Sequence, residues 1–244
     1  MGNIYLITGA SSDVGAALIR RLYREGDVFI AQGCGDLANL APVCAAHKGA
    51  IQTYDVDLTD GAALDLFAAD VQRRFGAPTH FIHLPALRVV NAKFKKFDEE
   101  RFEKDFSVQV RSAIRLCKAF LPAMAKAKYG RVLFMLTNYV LGLPPRNTAA
   151  YVTAKSALQG LAKSLAADYA PFGVTVNCVA PYMMETKFLT DTSELIVQAS
   201  AEANPMKRNA RVEDVVPAMA FLLSEEAGFI TGVTLPITGG ANPL

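Results

Sequence analysis

Tyr151 and Lys155 stand four residues apart near the start of a long segment with helical patterning, and in a helix that spacing puts both on one face. A neighbouring ammonium favours phenolate, which brings a tyrosine closer to proton transfer near neutral pH. A Y-x-x-x-K pair arises in many helices by accident. Here its place counts, after the apolar run Arg131 to Thr137 and before Val174-Thr175-Val176-Asn177. A second group lies near the other end of the chain, Thr8-Gly9-Ala10-Ser11-Ser12-Asp13-Val14-Gly15. A glycine-bearing turn between a strand and a helix lets backbone approach a pyrophosphate and aims the helix N-terminus at it. The spacing alone fits a tight turn with a capped helix equally well; its position after a first strand favours the phosphate reading. Asp13 complicates that reading. Its carboxylate suits a helix start. Facing a pyrophosphate about 6 Å away, it would be repelled by roughly 3 kcal/mol at an effective dielectric of about 20, or about a hundredfold in affinity. Asp13 therefore either points to solvent or weakens dinucleotide binding.

The elements that must hold these groups alternate. Ile4 to Thr8 is an apolar run that reads as a buried strand, and Val14 to Arg24 has Val14, Leu18 and Leu22 on one helical face. Further strands are expected at Val28 to Ala31, Ile51 to Tyr54, His80 to Leu84, Arg131 to Thr137, Val174 to Val179 and Val233 to Ile237. Helices are expected at Leu37 to Ala46, Ala62 to Phe75, Ala149 to Tyr169 and Val212 to Leu223, with a long one capped by Asp98 and running toward Lys126. Gly173 is a candidate C-cap, and Tyr182 to Met206 reads as a mobile segment. Alternating strands and helices predict a parallel sheet covered on both faces by right-handed crossovers. No linker, repeat or low-complexity stretch divides the chain, so 1–244 reads as a single domain.

Composition narrows the function classes. A chain of 244 residues, 52% hydrophobic and 20% charged, suits one globular domain with a sizeable core. Lys+Arg 25 against Asp+Glu 23 gives no field that favours nucleic acid or an anionic membrane. Lys93, Lys95 and Lys96, interleaved with Phe94 and Phe97, fit a solvated loop running into a helix better than a base-stacking platform. Cys34, Cys44, Cys117 and Cys178 form no C-x-x-C pair, and His47, His80 and His83 form no cluster with carboxylates, so no metal site is expected. No signal segment or membrane span is legible. A cytoplasmic, reduced protein is the expectation.

Taken together, the chain resembles the short-chain dehydrogenase/reductase family over its full length. Asn204-Pro205-Met206-Lys207-Arg208, Phe221-Leu222-Leu223-Ser224, Thr231-Gly232 and Gly239-Gly240 are most similar to the 3-oxoacyl-carrier-protein reductases. The resemblance implies an α/β doubly wound Rossmann fold with a parallel seven-stranded sheet, and hydride transfer between a nicotinamide and a carbonyl or alcohol carbon. It implies a homodimer or homotetramer built on the fourth and fifth helices, and a small ketone or acyl substrate. Tyr151 would donate the proton and Lys155 would tune it and hold ribose. Gly9, Ser11, Ser12, Val14 and Gly15 would meet the pyrophosphate, Cys34 the adenine ribose, and Asp57 and Leu58 adenine. Pro181, Met184 and Thr186 would lie along the nicotinamide, and a substrate lid would span about 182–205. Read from spacing alone, Asp55 to Asp60 is equally a turn whose Thr59 or Asp60 caps the next helix. The usual acid position after the second strand is Gly33 and the usual Arg position is Cys34. The missing acid, with Ser11, Ser12 or Gln32 as donors, favours NADP(H) over NAD(H), although Asp36 can still reach a ribose.

Several positions depart from the family pattern. Asn138, thirteen residues before Tyr151, replaces a serine, with Thr137 beside it; an amide can polarise a carbonyl but has no hydroxyl to relay a proton. Gln109 stands where the family has an asparagine that supports a water near the lysine. His83-Leu84-Pro85-Ala86 replaces N-N-A-G, and Tyr182 follows Pro181 where a glycine is usual. The retained Tyr151 and Lys155 favour an NADP(H)-dependent ketone reductase with a remodelled pocket. The alternatives are a degenerate member serving as a binding or scaffold subunit, or a cofactor-free lyase.

Overall fold

A computed structural model describes residues 2–241 of the chain. Seven strands form, β1 (Ile4–Thr8), β2 (Val28–Gly33), β3 (Ile51–Asp55), β4 (His80–His83), β5 (Gly130–Met135), β6 (Val174–Pro181) and β7 (Thr234–Ile237). The helices are α1 (Asp13–Leu22), α2 (Ala41–Ala46), α3 (Gly61–Phe75), α4 (Glu99–Phe106), α5 (Ser112–Ala127), α6 (Ala149–Tyr169), α7 (Glu194–Ala203) and α8 (Val212–Leu223). The strands pair in parallel in the order β3-β2-β1-β4-β5-β6-β7. The order reverses between β1 and β4. There the connections leave for opposite faces of the sheet, and a crevice opens beyond the strands' carboxyl ends.

Burial on both faces explains why these strands read as continuous apolar runs rather than alternating ones. In register, Leu6 lies between Ile30 and Phe81, Phe81 faces Val132, and Val132 faces Val176. This row packs with Phe67, Phe120 and Leu158 of α3, α5 and α6. On the other face Ile7 and Ile82 pack with Leu18 and Ile19 of α1 and Val215 and Met219 of α8.

Three expectations change. The long helix from Asp98 is interrupted by a π-type turn over Ser107–Arg111, although Asp98 does cap its start, accepting from the Arg101 N–H at 3.0 Å. One inserted residue widens the backbone spiral there, a feature that periodicity in a helical segment does not reveal. The segment from Leu37 forms a 3-10 turn, Ala38–Leu40, before α2, whose first turn holds Pro42, a position where its missing N–H costs no helix bond. Tyr182 to Met206 is structured rather than loose. It carries the 3-10 turn Lys187–Leu189 and α7, and Tyr182 donates its hydroxyl to the Ser200 carbonyl at 3.0 Å. Gly173 (φ +73°) closes a 3-10 turn, Ala170–Phe172, that extends α6. No helix among the described residues is long and apolar enough to cross a membrane.

Two histidines sit inside this core. His80, on β4, stacks on Tyr5 at 4.3 Å and hydrogen-bonds to the Leu223 carbonyl at 3.1 Å. Burial pulls its pKa down from 6.5 to about 4 and that of His83 to about 3. Both stay neutral in the native state while an unfolded chain would bind protons, so stability is lost as pH falls below about 6.5. Urea midpoints measured from pH 7 down to about 5, above the ordinary carboxylate range, are expected to decline steadily, and His80→Gln is expected to flatten that decline.

Candidate active site

The crevice is a cavity of about 960 Å³ that runs from the start of α1 across β1, β4 and β5 to the segment after β6. Gly9, at the end of β1, has φ +68°, and a Cβ there would lie 3.0 Å from the Pro85 nitrogen. Gly15 allows α1 to approach the strand: a Cβ would meet the Ala10 carbonyl oxygen at 2.4 Å. Both positions therefore require glycine, and the close turn aims the first turn of α1 at the cavity through Ser11, Ser12, Asp13 and Val14. A dinucleotide's pyrophosphate fits such a cradle. Gly15 itself is buried behind the wall, where it shapes the turn.

The side chains of this turn are mostly committed. Ser12 donates its hydroxyl to the Gly9 carbonyl at 2.8 Å and accepts from the Gly15 N–H at 3.1 Å, so it caps α1. Gln32 is buried, accepts from the Gly9 N–H at 3.0 Å and donates to the carbonyls of Gly33 and Val56. It is thus a structural brace and is withdrawn as a donor to a 2′-phosphate. Asp13 is half-buried at the cavity mouth and is engaged there. Its carboxylate accepts from the Lys187 backbone N–H at 2.8 Å and from the Asn39 amide at 3.3 Å, while Lys187 donates its ammonium to the Asn39 side-chain oxygen. This polar clamp ties the start of α1 to the segment after β6 across the mouth of the cavity.

At the adenosine end the carboxylates are held in their own turns. Asp55 accepts from the Gly35 N–H, Asp36 from Ala38 and Asp57 from Thr59, each at 2.8 Å, and Asp60 caps α3. A Cβ on Gly33 would strike Leu37 Cδ2 at 2.3 Å, so an acid does not fit there without displacing Leu37. Cys34, Asp57 and Leu58 line this end together with Lys104.

At the other end Tyr151, Lys155, Thr137 and Asn138 line one wall. Lys155 donates to the Met135 carbonyl at 2.8 Å and lies 5.9 Å from the Tyr151 ring centre. Burial dominates both groups. It raises the Tyr151 pKa, opposed by a hydrogen bond with Thr137, and lowers that of Lys155 to about 8, opposed by Asp105. The lysine therefore does not offset desolvation of the phenol in this arrangement, because its ammonium is aimed at a backbone carbonyl. The hydroxyl absent from position 138 is supplied next door by Thr137. Asn138 is buried and accepts from Thr137 Oγ1 at 3.4 Å.

Gln109 lies outside the cavity lining, fully buried in the π-type turn, and neither polar atom of its side chain has a partner among the described residues. A native fold keeps a buried amide in that condition chiefly where water satisfies it. Its backbone carbonyl accepts from His83 Nε2 at 2.8 Å. A carbonyl can only accept, so His83 carries its proton on Nε2, and bare Nδ1 accepts from the Thr8 hydroxyl at 2.7 Å. This histidine bridge, the clamp residues Asn39 and Lys187, and the buried Asp105, which accepts from the Leu87 N–H at 2.9 Å, escape sequence reasoning. Only the departure at position 83 gave a signal. Pro181, Met184 and Thr186 line the cavity beside Tyr182.

Comparison with known proteins agrees with this geometry. Residues 9–242 match the family model described as enoyl-(acyl carrier protein) reductase. The 3-oxoacyl-(acyl-carrier-protein) reductase of Escherichia coli K12 is 31% identical over 98% of this chain and 97% of its own length, and that of Pseudomonas aeruginosa is 29% identical over the same shares. A crystal structure of NAD+-bound xylitol dehydrogenase superposes with a TM-score of 0.88 at 27% identity, covering 98% of each chain. A structure of levodione reductase, with a TM-score of 0.91 at 23% identity over 98% and 97% of the two chains, shares the fold.

The clamp gives a direct test. Asp13→Ala deletes a charge-assisted acceptor of about 1.5–3 kcal/mol and is expected to speed amide exchange at Lys187 by about tenfold or more. Hydrogen-exchange mass spectrometry of peptides covering Lys187–Leu189 checks this, with α6 as the unaffected control.

Proposed function

The chain belongs to the short-chain dehydrogenase/reductase family of NAD(P)-dependent oxidoreductases, and we propose that it reduces a ketone, or a β-keto acyl group, at the expense of NADP(H). The observation that carries the reading is the meeting of Tyr151, Lys155, Thr137 and Asn138 on one wall of the cavity whose far end is the glycine turn. We assign 1–244 to one catalytic domain with its substrate lid at about 182–205.

The bound nicotinamide supplies or accepts the hydride. The chain's own residues do the rest. Tyr151 holds the proton that passes to the substrate oxygen, and its raised pKa keeps the phenol protonated until that oxygen develops charge. The Thr137 hydroxyl and the Asn138 amide orient the oxygen. Lys155 holds ribose hydroxyls, and Gln109, with its unpaired amide, holds a water behind it. Pro181, Met184 and Thr186 support the nicotinamide, and Met183 and Phe188 shield it from solvent. NADP(H) is favoured because the acids at the adenosine end are engaged in their own turns, while Ser11 and the Lys104 ammonium face that region. Asp13 is neutralised in part by its donors, so cofactor entry exchanges one set of contacts for another. We further propose that the protein works as a homodimer or homotetramer.

Fluorescence titration with NADPH and NADH is expected to show tighter binding of NADPH, and equal or reversed affinities would remove the NADP assignment. Tyr151→Phe is expected to lower kcat by about 10²–10⁴-fold while cofactor affinity holds; an unchanged kcat on an accepted ketone would falsify the acid role. With the Lys155 pKa at about 8, kcat/KM is expected to fall as pH rises through that value and the ammonium is lost.

A further inference from the structure

We propose that the substrate carries a negative charge remote from its reacting carbonyl, a carboxylate or a phosphate, and that Arg146 receives it. The inference rests on the reductase reading above and names the substrate class for that same cavity.

Charge divides along the cavity. The acids that line it, Asp13, Asp36 and Asp57, all belong to the dinucleotide half. The half beyond Tyr151 is lined by Arg88 and Arg146 and by no carboxylate. The acids nearest that half are accounted for: Asp191 pairs with Arg88, and the buried Asp105 is held by the Leu87 N–H outside the cavity lining. Arg88 thus already has a carboxylate partner, and Arg146 has no acidic partner among the described residues.

Arg146 is also presented on a stiff support. It lies five residues before Tyr151 and follows Pro144 and Pro145, whose rings fix the backbone. The Thr148 hydroxyl donates to the Pro145 carbonyl at 2.7 Å, and the Ala92 N–H donates to the Asn147 carbonyl at 3.0 Å. Asn147 takes the left-handed conformation, φ +68°, that turns the chain immediately after the arginine. An unpaired guanidinium on a braced turn, in the half of the cavity that no carboxylate lines, fits an oxyanion through its planar fork of donors.

The test compares matched ketones in wild type and Arg146→Met with cofactor saturating: 3-oxobutanoate against its methyl ester, and acetoacetyl-coenzyme A against the N-acetylcysteamine thioester. In at least one pair the charged member is expected to show a KM about tenfold or more below the neutral one, and Arg146→Met to abolish that difference through KM with kcat little changed. An effect in the first pair assigns a carboxylate on the substrate; an effect in the second assigns a phosphate on its carrying arm. Equal KM values within both pairs, or an equal effect of the substitution on both members, overturns the proposal. If no ketone turns over, the reductase reading has failed separately. Calorimetric titration of 3-oxobutanoate and coenzyme A then decides the present point: binding that Arg146→Met weakens tenfold supports it, and binding indifferent to Arg146 overturns it.

Discussion

Everything at the site depends on the parting of β1 and β4 at the carboxyl edge of the sheet. A parallel strand pair must send its connections back over a face, and where neighbouring strands send them to opposite faces the sheet edge is left uncovered. Here that uncovered edge is pinned by a chain of hydrogen bonds. Thr8 at the end of β1 meets His83 at the end of β4, and His83 meets the Gln109 carbonyl in the π-type turn. One buried imidazole thus ties the paired ends of β1 and β4 to the π-type turn that carries Gln109. It can do so because burial keeps it neutral, with one nitrogen donating and the other accepting.

Around that anchor the chemistry is set by desolvation. Burial pushes Tyr151 and Lys155 each toward its uncharged form, the phenol upward and the amine down to about 8. Thr137, one residue before the position where its relatives' pattern has serine, brings a hydroxyl to the phenol. Thr137 caps the 3-10 turn Asn138–Val140, and both Thr137 and Asn138 line the cavity. Asp13 receives a similar resolution. Its charge is met by donors from Lys187 and Asn39, which makes it a latch across the cavity mouth.

Much of this was written in local sequence. The apolar run at Ile4–Thr8, the patterning of Ala149–Tyr169 and Val212–Leu223, and the cap at Asp98 each depend on interactions within a few residues and are found as read, while the run read as His80 to Leu84 ends one residue earlier, at His83. The glycine turn, the Tyr151–Lys155 pair and the parallel sheet follow from the same short-range rules, because helix spacing and strand burial repeat along the chain.

Tertiary structure decided what no local pattern encodes. The π-type turn at Ser107–Arg111, which packs against α6 between α4 and α5, carries no local sequence mark. The partners of Asp13, Asn39 and Lys187 lie 26 to 174 residues apart in sequence. Gln32, by type a plausible phosphate donor, is consumed by three backbone groups, two of which, from Gly9 and Val56, only the fold brings to it. Sequence determined which residues could do chemistry and which elements would carry them. The fold decided which of those residues are free to do it, because side-chain hydrogen bonds and burial are settled by neighbours that are distant in the chain.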